Sequence, residues 1–87
     1  MLEELRKEID DCDKNIINLL KQRLEIVKKI GTYKKHNNLS IYDQQREKKL
    51  MDKLKGHASE DLTEDMIENI YREIIFASKE LQKNIKN

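Results

Sequence analysis

Arg23 occupies a position where its neighbours predict an apolar side chain. From Leu5 the apolar residues step by four and three through Ile9, Cys12, Ile16 and Leu19, and after position 23 through Ile26, Ile30 and Tyr33. That spacing predicts a helix packed along its length against other helices. A guanidinium in such a seam is costly unless a carboxylate or an anionic ligand compensates it. Lys34, Glu47, Ser78 and Gln82 repeat the irregularity. Five polar side chains on otherwise apolar stripes predict a polar pocket between helices.

The spacing of the basic residues constrains what that pocket could hold. Arg6 and Arg23 are seventeen residues apart, or about 25 Å along one helix, too far for one small ligand to reach both. In an antiparallel, two-fold dimer, Arg6 of one chain can approach Arg23 of the other, giving two equivalent sites each built from both chains. Arginine's planar fork suits a carboxylate, so two arginines suggest a compact dicarboxylate. Lys34 lies about three helical turns beyond Arg23, on the same face. Asp43, Arg46 and Glu47 share one short stretch, with Glu47 one turn before Leu50 and Met51. Ser78 and Gln82 are four apart and continue the face of Ile67, Tyr71 and Ile74. Each has a plainer reading in isolation: a solvated lysine, a capping Asp43 with intrahelical ion pairs, a serine bonded to a backbone carbonyl, a glutamine at a fraying end.

Three helices are predicted to position these groups. The first runs from about residue 2 to 36, and a polar connection through Asn37, Asn38, Leu39 and Ser40 follows. The second spans about 43–55, with Leu50, Met51 and Leu54 as its apolar face and Gly56 as a stop. The third spans about 62–85, with Thr63, Glu64 and Asp65 supplying a cap and negative charge at its start. The expected class is all-α, with one long, one short and one medium helix in a single domain over residues 1–87. A helix of 35 residues is about 52 Å long, whereas a compact monomer of this size has a radius of gyration near 12 Å. The first helix must therefore project beyond its own protomer with its seam exposed. A second copy would cover it, most simply in a symmetric homodimer.

Composition agrees and excludes several classes. The 87 residues include no proline, no tryptophan and only two glycines, with 40% charged residues and a formal net charge of +1. Helices are favoured over sheets, and no basic tail suggests nucleic acid. No apolar run approaches the roughly 20 residues of a membrane span, and no signal-peptide pattern opens the sequence. The expected compartment is the cytoplasm, with no membrane partner. Cys12, the single cysteine, is read as a buried core residue. His36 and His57 are isolated and solvated, so no metal site is expected.

In their joint order these elements resemble the all-helical chorismate mutases of the AroQ class. The matching segments are Leu5-Arg6-Lys7-Glu8-Ile9-Asp10, Leu19-Leu20-Lys21-Gln22-Arg23 and Ile30-Gly31-Thr32-Tyr33-Lys34. Ile41-Tyr42-Asp43-Gln44-Gln45-Arg46-Glu47 and Ile74-Ile75-Phe76-Ala77-Ser78-Lys79-Glu80-Leu81-Gln82 complete them. The stretch before Asp43 lacks the proline common in relatives. The resemblance implies a rearrangement of chorismate to prephenate on the route to phenylalanine and tyrosine, without cofactor, in an intertwined homodimer. It implies that Arg23 and the partner copy's Arg6 hold substrate carboxylates and that Lys34 and Gln82 bond the ether oxygen. Glu47 would accept from the ring hydroxyl, with Asp43, Arg46 and Ser78 completing the lining. A pericyclic shift needs a flexible arm held over a ring and donors at the oxygen where charge develops. Gln82, unlike a glutamate, donates without prior protonation, so activity should not require acidic pH. Two other readings are an isochorismate pyruvate-lyase of the same fold, whose members generally lack the glutamate present as Glu47, and a non-catalytic helical dimerisation module.

Overall fold

A computed structural model describes residues 1–85, and all of its regular structure is helical. Helix α1 runs unbroken over Leu2–His36. No proline interrupts it, acidic Glu3 and Glu4 occupy its first turn, and Lys34, Lys35 and His36 its last. Both sets of charges complement the helix dipole. It ends where Asn38 adopts a left-handed φ of 54°. The Leu39 and Asn38 amides then donate back to the carbonyls of Lys34 and Lys35 at 2.8 and 3.3 Å. This is the Schellman arrangement, with asparagine in the place glycine usually takes.

Helix α2 covers Gln44–Lys55, and Asp43 caps it by accepting from the Arg46 amide at 3.0 Å. Gly56 stands at its end, as expected, but with a right-handed φ of −62°, so its tolerance of left-handed backbone plays no part there. Helix α3 covers Glu64–Lys83, two residues shorter at each end than the pattern suggested. Thr63 caps it through the Met66 amide at 3.2 Å. Tyr42, just before α2, lays its ring near two α3 lysines, with Lys79 Nζ at 5.6 Å and Lys83 Nζ at 5.8 Å from its centroid.

Helix α3 lies between the other two and packs against each. The chain measures 55 × 25 × 14 Å, with a radius of gyration of 16.0 Å. A thickness of 14 Å is little more than one helix with its side chains, so a single layer leaves one face of each helix uncovered. Val27, Gly31, Ile67 and Ser78 are buried, and they mark a small core where the second half of α1 crosses α3. Before Leu20, every residue of α1 is exposed. That corrects the expectation for Cys12, which is exposed because nothing in the same chain packs on its stretch of helix. Among the described residues no helix is long and apolar enough to cross a membrane.

Candidate active site

The half of α1 that packs within the chain presents Leu20, Arg23, Leu24, Val27, Gly31 and Lys34 to its neighbours, all at least half-buried. This face is rotated from the predicted seam, whose Leu19, Ile26, Ile30 and Tyr33 remain exposed. Arg23 belongs to both stripes. With Leu20, Leu24, Ile74 and Ala77 it lines a largely apolar groove, and its guanidinium reaches Ser78 in the adjoining polar cleft.

That cleft encloses about 330 Å³. Helix α1 contributes Arg23, Val27, Ile30 and Lys34; α2 and its approach contribute Ile41, Asp43, Arg46, Glu47 and Leu50; α3 contributes Ile75, Ser78, Lys79 and Gln82. Seven of the eight residues singled out from the sequence therefore meet in one cleft. The eighth, Arg6, lies in the exposed first half of α1, outside it.

Local geometry explains how these groups are held. The Arg23 guanidinium donates through Nη1 to Ser78 Oγ at 2.5 Å, and that hydroxyl donates to the Ile74 carbonyl at 3.0 Å. Ser78, 8% exposed, thus makes the backbone bond of the plain reading and also orients the arginine. Gln82 is no fraying residue: its Nε2 donates to the Val27 carbonyl at 3.2 Å. An amide nitrogen carries two protons, so one remains for another acceptor. Arg23 and Lys34 have no carboxylate within 4.0 Å among the described residues. A half-buried guanidinium bonded only to a neutral hydroxyl retains most of its donors for an anion.

Asp43 does cap α2, as its plainer reading held, but Glu47 forms no intrahelical pair. It joins Lys79 of α3, with Nζ 2.6 Å from Oε1. Sequence reasoning passed over Lys79, although a signal existed. The residues three and four positions from Glu47 are Asp43, Gln44, Leu50 and Met51, none cationic, so its partner had to come from another helix. Beside the cleft, the Tyr42 phenol and then Glu80 hold the Lys83 ammonium above its ordinary range.

The family model for chorismate mutase type II matches residues 5–83, most of the chain and every residue of the cleft. The chain belongs to that family. The chain is 39% identical to the bifunctional chorismate mutase/prephenate dehydratase of Aquifex aeolicus, over 98% of this chain and 25% of that protein. Five curated relatives of the mutase family are long proteins of which the chain spans between 20% and 25%. Among solved structures, the chorismate mutase of Thermus thermophilus superposes with a TM-score of 0.93 at 28% identity, covering 99% of this chain and 98% of that one. The chorismate mutase of Helicobacter pylori, solved in complex with prephenate, superposes at 0.87 with 32% identity, covering 98% and 97%. The three-helix layer is therefore a shared mutase architecture rather than a peculiarity of this chain.

Proposed function

We propose that the chain is an isomerase that converts chorismate to prephenate by clamping the substrate, without covalent catalysis. The observation that carries this reading is Arg23, held by Ser78 and paired with no carboxylate among the described residues, in one cleft with Lys34, Arg46 and Gln82. In the rearrangement the ether C–O bond breaks as a C–C bond forms, and negative charge grows on the oxygen. Arg23 fixes a carboxylate and so holds the enolpyruvyl arm over the ring, removing much of the entropic barrier. Lys34 and the unbonded N–H of Gln82 donate to the ether oxygen, where their attraction strengthens as charge develops. Glu47 accepts from the ring hydroxyl, and Asp43, Arg46 and Ser78 complete the lining.

The family resemblance assigns the second carboxylate to a cation from outside this chain. Arg6 of a second copy supplies it in an antiparallel homodimer. Two features support this assembly. The apolar stripe through Leu5, Ile9, Ile16 and Leu19 is exposed on a layer 14 Å thick. The first half of α1 is rich in acids (Glu3, Glu4, Glu8, Asp10, Asp11, Asp13) and its second half in bases (Lys21, Arg23, Lys28, Lys29, Lys34, Lys35), which attract when the helices run antiparallel. The enzyme would act in the cytoplasm, in the synthesis of phenylalanine and tyrosine.

One assay decides among the readings. Purified protein given chorismate should yield prephenate. Salicylate and pyruvate formed from isochorismate instead would identify the pyruvate-lyase, and no turnover of either compound would leave a dimerisation module.

A further inference from the structure

Among the described residues two ion pairs join α2 to α3, Lys55–Glu68 at 3.6 Å and the closer Glu47–Lys79. The pairs of Lys28 with Glu25 and Lys83 with Glu80 lie within single helices and are about half-exposed or more. Lys79 and Glu47 join α3 to α2 at 2.6 Å, each about 30% exposed, and of the two inter-helix pairs this is the one that lines the cleft. The pair also has cleft on both sides. On one lies the 330 Å³ pocket; on the other a groove of about 480 Å³ between α2 and α3 reaches Lys55, Glu68 and Phe76. Glu47, Lys79 and Ile75 line both.

We propose that Lys79 is a positioning residue that fixes the Glu47 carboxylate at the pocket and, together with it, forms the wall against the outer groove. The inference rests on the mutase reading for its effect on turnover, but not for its geometry. A carboxylate has two oxygens. Lys79 engages Oε1, which leaves Oε2 as an acceptor for a substrate hydroxyl, so pairing and binding are compatible. Without the ammonium, Glu47 has no cation one turn away on its own helix, where Asp43 presents a like charge instead, and it would turn toward water. Tyr42 supports the arrangement from outside, its ring lying close to Lys79 Nζ and restricting where that ammonium can go.

The test compares Lys79→Met, Lys79→Arg, Glu47→Gln and the Lys79→Met/Glu47→Gln double variant. Lys79→Met should lower kcat/KM for chorismate by about tenfold, and Lys79→Arg should keep most of the activity. In the Glu47→Gln background the same Lys79→Met change should cost less than about twofold more, because its effect runs through Glu47. A loss within about twofold for Lys79→Met alone, or one carried undiminished into the Glu47→Gln background, would overturn the proposal. Crystal structures of the parent and Lys79→Met proteins separate this outcome from failure of the mutase reading. Glu47 should leave the pocket in the variant whether or not the parent turns over chorismate, and an unmoved Glu47 would equally overturn the assignment.

Discussion

The two halves of α1 share one helix and one apolar rhythm, yet they meet different surroundings. From Leu20 onward the helix buries Val27 and Gly31 against α3 and aims Arg23 and Lys34 into the cleft. Up to Leu19 it buries no residue in its own chain, and Leu5, Ile9, Ile16 and Leu19 are each more than half-exposed. Periodicity therefore specifies that a helix has partners, not whose they are. Arg23 lies where the two regimes meet. The half that packs at home brings Arg23 and Lys34 to the cleft, and the half that does not carries Arg6, the residue proposed to reach a second copy's cleft.

The largest expected effect comes from breaking the home half at its charged end. Arg23→Ala should reduce turnover of chorismate by about a thousandfold, comparable to losing a preorganised donor at a site of developing charge, while the chains remain associated. Arg6→Ala, in the other half, should do similar damage from the partner chain. The two defects should then complement each other. Random exchange makes half of the dimers hybrid, each with one complete site of two, so mixed variants should recover about a quarter of parental activity. Failure to recover activity despite demonstrated subunit exchange would remove the shared site.

Apolar substitutions sharpen the same contrast at smaller cost. Ile9→Glu should weaken self-association by about a hundredfold, seen by sedimentation, because it buries a charge in the interface. Its unfolding midpoint should then depend strongly on protein concentration. Val27→Ala should lower stability by about 1–2 kcal/mol through lost burial and a small cavity and leave association unchanged. Equal association of the Ile9→Glu and parent proteins would mean that the exposed stripe has no partner.

The fold was legible where local chemistry decides it. An unbroken apolar rhythm without proline delimits α1, and Asp43 and Thr63 announce their helices by the caps they form. Legibility ended where distant elements compete. Two overlapping stripes on α1 could not reveal which one α3 covers, so the packed face and the exposure of Cys12 had to come from the three-dimensional arrangement. Asn38 could close α1 in place of a glycine only because the chain turns back there, which neighbouring residues do not dictate. In the cleft, Arg23, Lys34, Glu47, Ser78 and Gln82 could be anticipated as polar breaks on apolar helical faces, whereas Asp43 and Arg46 joined them only through the family resemblance. Lys79 could not be found by looking for a polar residue on an apolar stripe, since its role depends on the partner that Glu47 lacks at home.

The smallest predicted effect tests how closely the packed half must fit. Gly31 is buried on α1 opposite the end of α3, and a Cβ there would stand 3.1 Å from Gln82 Cγ and against Ile85 Cδ1. The Ile85 methyl is the tip of a flexible side chain and can move aside. Gln82 has less freedom, because its Nε2 is already committed to the Val27 carbonyl. Gly31→Ala gains up to about 1 kcal/mol of helix propensity, which offsets the cost of the crowding, so the melting temperature should shift by only a few degrees. The displaced Gln82 should nonetheless lower kcat/KM by about three- to tenfold, since misplacement of well under an ångström weakens a donor aimed at the reacting oxygen. An alanine placed in the first half of α1, at exposed Lys14, should change neither quantity. If Gly31→Ala left turnover equally untouched, the approach of α3 to α1 would matter for folding alone, and the two halves of the helix would differ less than their packing suggests.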